Sequence, residues 1–184
     1  MMDTYSPKEL EKILSNLKLK GLKVMKIESG SHVFNSIKKE RSYEGEKDYT
    51  PFYKDAEVDW DIILTFDNGK KVGFFFASSS HVKIINYTKN YELKDVDYQK
   101  NELNVTEMFP EIIGKTISDY KVFSVDSLEE LGDGDWEDAG FKDDQDEYIT
   151  EFRLIFDDHS HIGFKCDIDF MLFHYMCCFD EIDA

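Results

Sequence analysis

Cysteine is scarce in this chain: its 184 residues include only three, and they are Cys166, Cys177 and Cys178. Three cysteines, two of them adjacent, cannot provide a disulfide framework for a chain of this length, so reduced thiols are the simplest interpretation. The first residues show no basic or apolar stretch of the secretory type, and the apolar runs are far too short to cross a bilayer. We therefore expect a cytoplasmic protein with no membrane partner.

Basic residues are also few. The chain has 22 lysines and arginines against 39 aspartates and glutamates, which gives a formal net charge of -17. Proteins that bind nucleic acid directly contact its phosphates through a basic face, and anionic membrane surfaces attract basic segments for the same reason. The charge balance argues against both ligands and favours a basic protein partner.

Catalytic sequence motifs are missing as well. The chain has no phosphate-binding loop, no dinucleotide-binding glycine pattern, no nucleophile elbow and no zinc-protease motif. Carboxylates are so abundant that no pair stands out as a general acid and base. We expect a protein that is not an enzyme and that uses no cofactor.

Apolar and aromatic residues, in contrast, are plentiful. Hydrophobic residues make up 41% of the chain and aromatic residues 15%. This is enough to fill a core, which excludes global disorder. At this length the core belongs to one compact domain or to two very small halves.

The negative charge is concentrated in the last third of the chain. Residues 1–125 hold 20 acidic and 19 basic side chains, whereas residues 126–184 hold 19 acidic and 3 basic ones. Residues 126–147, the acidic segment, contain 11 carboxylates and a single lysine. Repulsion within such a run favours an extended, solvated loop unless a cation or a basic partner neutralises it.

Two aromatic residues, Trp136 and Phe141, lie within the acidic segment. An aromatic anchor surrounded by carboxylates has the composition of a binding hot spot for a basic surface. Two simpler interpretations stay open, a loop that only improves solubility and a Trp136 that folds back onto the core. The candidate partner-binding residues are Asp133, Asp135, Trp136, Glu137, Asp138, Phe141, Asp143 and Asp144.

The start of the chain predicts one helix followed by a strand. Ser6 suits the N-cap, Pro7 the first helical position, and Glu9 completes a capping box. Leucine and isoleucine then recur at helical spacing as far as Leu17, after which Gly21 is free to take positive φ. From residue 22 the apolar period becomes two, which indicates a strand to residue 27, and residues 28–55 read as a long polar loop.

Residues 59–76 predict a β-hairpin. Apolar and polar residues alternate on both sides of Asn68-Gly69, a pair that favours a type I′ turn with positive φ at both central positions. Residues 81–87 predict a third strand.

The hairpin pattern recurs 90 residues later. Leu64-Thr65-Phe66-Asp67 and Val72-Gly73-Phe74 correspond to Leu154-Ile155-Phe156-Asp157 and Ile162-Gly163-Phe164. Gly21 corresponds to Gly114 at a shift of 93, and residues 167–178 supply a last strand with Ile168, Phe170 and Leu172 on one face. The order of these pieces favours an internal duplication.

The predicted fold class is therefore α+β, with two β-rich half-repeats of antiparallel hairpins plus a further strand each, and an N-terminal helix. The first half spans residues 1–100 and the second, with the acidic segment, residues 101–184. We expect the halves to share a core and form one compact unit, because each is small.

A cluster of potential metal ligands surrounds His159 and His161. In an extended strand these two would point to the same face, as a metal pair can. The repeat, however, aligns His159-Ser160 with Asn68-Gly69, and a turn favours polar residues without any metal; a longer second loop would remove the need for glycine. His174, Cys177 and Cys178 are equally ambiguous, because buried cysteine is commonly a core residue. No metal site is therefore assigned.

Ile112-Ile113-Gly114-Lys115-Thr116-Ile117, followed later by Leu154-x-Phe156-Asp157, resembles a layout found in small bacterial immunity proteins of polymorphic toxin systems. The resemblance implies an acidic, cytoplasmic α+β protein that blocks a toxin, and no family-specific functional residue transfers to this chain. It agrees with the acidic segment, and the expected function is stoichiometric binding of a basic protein such as a nuclease toxin.

Three other classes remain open. A metal-binding or hydrolytic protein would use the His159/His161 region, a nucleic-acid mimic would bind several DNA-binding proteins, and an assembly subunit would bury aromatic residues between copies. The oligomeric state does not follow from the sequence.

Overall fold

The protein folds into two five-stranded antiparallel sheets that pack face to face. A computed structural model describes residues 3–29, 53–58, 61–76, 81–88, 105–126, 147–166 and 171–177. The helical segments are α1 Pro7–Leu17, α2 Val105–Met108 and a 3₁₀ turn at Pro110–Ile112. The strands are β1 Asp3–Thr4, β2 Val24–Ser29, β3 Tyr53–Val58, β4 Ile62–Phe66, β5 Lys71–Phe76, β6 His81–Asn86, β7 Ile117–Val125, β8 Tyr148–Phe156, β9 His161–Cys166 and β10 Met171–Met176.

The strand order confirms the α+β class and shows one unexpected feature, a strand of the first half of the chain that lies in the second sheet. The first sheet has the order β1-β6-β5-β4-β2 and the second the order β3-β10-β9-β8-β7. The second sheet contains a four-strand meander, β7 to β10, with β3 beside β10. The first sheet has β2, β4, β5 and β6 side by side with β1 beside β6, but the chain between β2 and β4 passes through the second sheet as β3. Strand β3 comes from the first half of the chain but pairs with β10 of the second, so the halves share a sheet.

The prediction of a loop over residues 28–55 is wrong at both ends of that range. Glu28 and Ser29 belong to β2, and β3 begins at Tyr53. Residues 30–52 lie outside the described ranges. The sequence did not reveal β3 because this strand depends on pairing with β10, more than 100 residues away in the chain.

The predicted N-terminal helix is confirmed. The Ser6 hydroxyl accepts a hydrogen bond from the Glu9 amide, while the Ser6 amide donates to the Glu9 carboxylate over 2.9 Å. Gly21 has a φ of 85°, as expected. Leu10 and Leu14 are buried on the apolar face of the helix, which packs against β7.

Both hairpins have the same turn, and it is not type I′. In the first, the Phe66 amide donates to the Lys70 carbonyl and the Gly69 amide to the Phe66 carbonyl. Only Gly69 has positive φ, at 79°. This is a three-residue loop ending in a left-handed residue, a common hairpin alternative.

The second hairpin has the same two hydrogen bonds. The Phe156 amide donates to the Ser160 carbonyl, and the His159 amide donates to the Phe156 carbonyl. His159 has a φ of 65°, so it takes the position of Gly69 and the loop is no longer than the first. The predicted alignment of His159-Ser160 with Asn68-Gly69 is therefore wrong, because the residues equivalent to Asn68-Gly69 are Asp158-His159. A histidine adopts this backbone region only at some conformational cost.

The two halves are joined by reciprocal hydrogen bonds. The Gly21 amide donates to the Ile117 carbonyl and the Gly114 amide donates to the Val24 carbonyl, each over 2.8 Å. Both glycines have a φ of 85°. Helix α1 packs against β7, the first strand of the second half, and α2 packs against β2 of the first. This local two-fold arrangement agrees with the shift of 93 residues, and the duplication itself stays a prediction.

Aromatic residues from both sheets fill the core. The ring of Phe74 in the first sheet lies 5.0 Å from that of Phe164 and 6.0 Å from that of Phe152 in the second, centroid to centroid. The alternating residues of the predicted hairpins supply the inward faces of β4 and β5, which are the residues Ile62, Leu64, Phe66, Val72, Phe74 and Phe76.

The predicted face of the last strand is wrong where it is described. Met171, Phe173 and Tyr175 point into the core, whereas Leu172 lies on the opposite face. The pairing of Phe173 with Phe164 determines which residues of β10 face the core. Ile168 and Phe170 lie outside the described residues. Within the described residues no helix is both long and apolar enough to cross a membrane.

Candidate functional site

Polar side chains gather on the face of the second sheet that is turned away from the core. Glu151 on β8, His161 on β9 and His174 on β10 lie on three adjacent strands. The strand alternation places them there, because Phe152, Ile162 and Phe173 point inward. All three polar residues are nonetheless buried: Glu151 is 9% exposed, His174 4% and His161 not at all.

The donor atoms of these residues converge. Nε2 of His161 lies 3.2 Å from Nε2 of His174, and Nε2 of His174 lies 3.3 Å from Oε1 of Glu151. All three ligand atoms lie within 4.8 Å of one another. The two imidazole rings meet edge to face.

A glycine creates the room for this convergence. Gly163 is the cross-strand neighbour of both Arg153 and His174. A Cβ atom at residue 163 would lie 2.1 Å from the His174 ring and 2.8 Å from Oε1 of Glu151. Any other residue would therefore displace the imidazole from the carboxylate.

Arg153 supplies the charge that balances Glu151. Its Nε and Nη2 atoms donate to the two carboxylate oxygens, the second over 3.3 Å. The guanidinium also lies over the Phe123 ring, 4.2 Å from the centroid. A buried carboxylate requires such a partner because desolvation of an isolated charge is costly.

Both buried histidines are neutral near pH 7. Burial lowers the pKa of His161 to about 2, and the positive charge of Arg153 adds to this effect. Burial also lowers the pKa of His174 to about 4, although the Glu151 carboxylate opposes the shift. Neutral imidazole is the form that offers a lone pair to a metal ion or a hydrogen-bond donor.

The first sheet has a related cluster at the equivalent place. Asp61, Gly73 and Lys71 correspond to Glu151, Gly163 and His161 at the shift of 90 residues. The Tyr87 hydroxyl donates to Asp61 over 2.8 Å, and its ring occupies the space above Gly73. Lys83 lies 3.6 Å from the Asp61 carboxylate. This cluster likewise combines a carboxylate, a glycine and a cationic side chain, but the described residues that form it include no histidine.

The structure separates the two histidines that the sequence suggested as a pair. His159 is exposed in the turn, while His161 is buried beside His174. Glu151 and Arg153 were not among the predicted site residues. The signal that could have indicated them is Gly163 in the repeated V/I-G-F motif, because a glycine in mid-strand often marks a close approach by neighbouring groups.

The described residues of this cluster include none of the predicted partner-binding residues. Asp133, Asp135, Trp136, Glu137, Asp138, Phe141, Asp143 and Asp144 all lie outside the described residues. The described chain reaches only the two ends of the acidic segment, where Val125 pairs with Tyr148.

Comparison with known proteins gives no relative: no family model, curated protein or solved structure matches the chain.

Proposed function

We propose that this chain is a non-catalytic binding protein that neutralises a basic protein partner, such as a nuclease toxin, through the acidic segment 126–147. The observation that carries the proposal is the uneven charge. Residues 126–184 hold 19 acidic and 3 basic side chains, while the rest of the chain is almost balanced.

The frame around the acidic segment supports this role. Strands β7 and β8, each of nine residues, pair with each other up to Val125 and Tyr148, and β7 is an edge strand. The two ends of the segment are therefore held together at the end of a firm strand pair. Loops anchored on a rigid scaffold are where binding residues are often found.

Some charges elsewhere on the described surface are paired locally. Lys20 lies 2.7 Å from Asp119, and Lys115 donates to the Asp158 carboxylate. Such pairs cancel at a distance, so the long-range field of the protein is dominated by the acidic segment. This field steers a basic partner to the segment, where Trp136 supplies an apolar contact and the protein occludes the partner's active site.

The test is capture from a lysate of the source organism at low salt, followed by association kinetics with the purified partner. One variant neutralises four carboxylates of the segment and the control variant neutralises four exposed carboxylates elsewhere, so both have a net charge four units less negative. The test variant changes Asp133, Asp135, Glu137 and Asp138, and the control changes Glu11, Asp67, Glu107 and Asp157, each to the matching amide.

We expect one basic partner to bind the wild type and the control. The test variant should associate roughly tenfold more slowly, with a weaker dependence on salt. Equal loss in both variants would mean that net charge alone is responsible and would contradict the proposal. Capture of many unrelated DNA-binding proteins would favour a nucleic-acid mimic instead.

A further inference from the structure

We propose that Glu151, His161 and His174 form a binding site for a divalent first-row transition metal ion, with Zn²⁺ as the expected occupant. The three residues lie outside the acidic segment in the sequence, and the proposal does not depend on the proposed partner. Two imidazoles and a carboxylate are a ligand set that zinc takes in proteins, with a fourth position left for water or another ligand.

The spacing of the donor atoms fits a metal ion. Zinc bonds to imidazole nitrogen and carboxylate oxygen are about 2.0–2.2 Å long, and two ligands of a tetrahedron with such bonds are roughly 3.3–3.5 Å apart. The two measured neighbour distances at His174 Nε2 are 3.2 Å and 3.3 Å. The third pair, Nε2 of His161 and Oε1 of Glu151, lies within 4.8 Å, so the ion enters after side-chain shifts that bring all three donor atoms to metal-ligand distance.

Hydrogen bonding alone serves this arrangement less well. Nε2 of His174 faces Oε1 of Glu151, which accepts, and Nε2 of His161, whose role depends on its tautomer, at almost equal distances. A single N–H can align well with only one of them, whereas three lone pairs aimed at a shared ion are all used at once. Metal ligation by Nε2 leaves the proton of each imidazole on Nδ1.

Arg153 sets the balance between the metal-free and metal-bound forms. It neutralises Glu151 in the metal-free protein by donating to both carboxylate oxygens. A metal ion on Oε1 takes over part of this role and competes with the guanidinium. Removing the arginine charge should therefore strengthen metal binding, an effect that a purely structural network does not produce.

The first sheet offers an internal contrast. At the positions equivalent to Glu151 and His161 it has Asp61 and Lys71, and the ring above its glycine belongs to Tyr87. A lysine and a tyrosine do not form a zinc site of this kind with one carboxylate. The donor set is thus specific to the second sheet.

The test uses the full chain, stripped of metal with a chelator and then titrated with Zn²⁺ by calorimetry and with Co²⁺ by visible absorption. Because the site is buried, a parallel sample is refolded in the presence of the metal. The ligand variants are Glu151→Gln, His161→Gln and His174→Gln. The matched control is His159→Asn, which removes the exposed histidine of the turn and keeps a residue that tolerates positive φ.

We expect one metal ion per chain in the wild type and in the control. Each ligand variant should bind at least tenfold more weakly, since even indirect support of a metal ligand is worth that much. Arg153→Gln should bind more tightly than the wild type. Binding that survives unchanged in all three ligand variants belongs to the acidic segment or the cysteines, and it overturns the proposal.

A second measurement needs no variant that might fail to fold. Nitrogen-15 NMR of the wild-type imidazoles reports which ring nitrogen is protonated and which is bound to metal. Zn²⁺ should shift Nε2 of His161 and His174, leave protons on their Nδ1 atoms and leave His159 unchanged. Absence of any shift at His161 and His174, in both the titrated and the refolded samples, overturns the proposal.

Discussion

His174 lies directly opposite Gly163 on the neighbouring strand, and its imidazole ring occupies the space that a side chain at residue 163 would need. The absent side chain lets the imidazole of His174 reach the carboxylate of Glu151, 3.3 Å away. The repeated glycine of the two hairpins therefore has a packing role in addition to any role in the backbone.

The first prediction concerns this glycine and its counterpart in the other sheet. Gly163→Ala should lower the free energy of unfolding by about 1–3 kcal/mol, because the new Cβ would lie 2.1 Å from a buried ring that has little room to move. Gly73→Ala should cost less, since it meets the partly buried ring of Tyr87, which can shift outward with the loss of one hydrogen bond to Asp61. Urea unfolding of the two variants measures the difference, and an equal or larger cost at Gly73 would contradict this account.

The second prediction concerns the two hairpin turns. His159 has a φ of 65°, where the equivalent Gly69 has 79°. His159→Gly should raise the free energy of unfolding by on the order of 0.5–1 kcal/mol, because relief of the left-handed strain exceeds the added entropy of glycine in the unfolded chain.

The reverse change, Gly69→His, should destabilise the protein by about 1 kcal/mol. A Cβ at residue 69 meets nothing within 4 Å, so the effect isolates the backbone conformation. Thermal unfolding of both variants beside the wild type checks the pair. The two substitutions should change the free energy of unfolding in opposite directions. Two changes of the same sign would show that the turns are not equivalent.

Local patterns predicted much of this fold because local forces form it. The capping box at Ser6 and both hairpins depend on residues close together in the chain, and all three are present. Strand β3 was missed because it depends on long-range pairing with β10. The core-facing residues of β10 were missed because the pairing with the adjacent strand β9, and not the apolar pattern of β10 alone, determines them. The same reason applies to the site: Glu151, His161 and His174 meet only once three strands are in register.

The third prediction concerns stability and pH in the presence of a chelator. The folded pKa values of His161, about 2, and His174, about 4, lie below the ordinary value of 6.5. Below pH 6.5 the unfolded chain binds protons that the folded chain does not, so stability falls as pH falls. The stability that depends on His174 continues to fall until about pH 4, and the part that depends on His161 continues to fall to still lower pH. Well above pH 6.5, where the imidazoles of the unfolded chain are neutral too, neither histidine contributes to the pH dependence.

The charged groups around the two rings are Glu151, Arg153, Lys165 and, across β10, Asp55. The measurement covers roughly pH 7 to 5.5, the range in which an imidazole with the ordinary pKa of about 6.5 takes up its proton in the unfolded chain. There the free energy of unfolding should decline more steeply for the wild type and His159→Asn than for the double variant His161→Gln/His174→Gln. Identical slopes in all three proteins would mean that the buried histidines already bind protons in the folded state.

The last prediction concerns the ion pair of Glu151 and Arg153, whose side chains are only 11% and 16% exposed. Arg153→Gln leaves a nearly buried carboxylate without its guanidinium and should cost about 2–3 kcal/mol of unfolding free energy in metal-free protein. The double variant Glu151→Gln/Arg153→Gln should cost less than the sum of the single changes, because the amides leave no uncompensated charge. Urea unfolding of the four proteins completes the double-mutant cycle.

The exposed pair of Lys20 and Asp119 is the control for this cycle. Their side chains are 53% and 58% exposed, so the same changes to amides should cost no more than about 1 kcal/mol and show little coupling. Zn²⁺ should restore more stability to Arg153→Gln than it adds to the wild type, because the ion replaces the missing positive charge beside Glu151. If Zn²⁺ stabilises both proteins equally, Arg153 does not compete with the metal for Glu151.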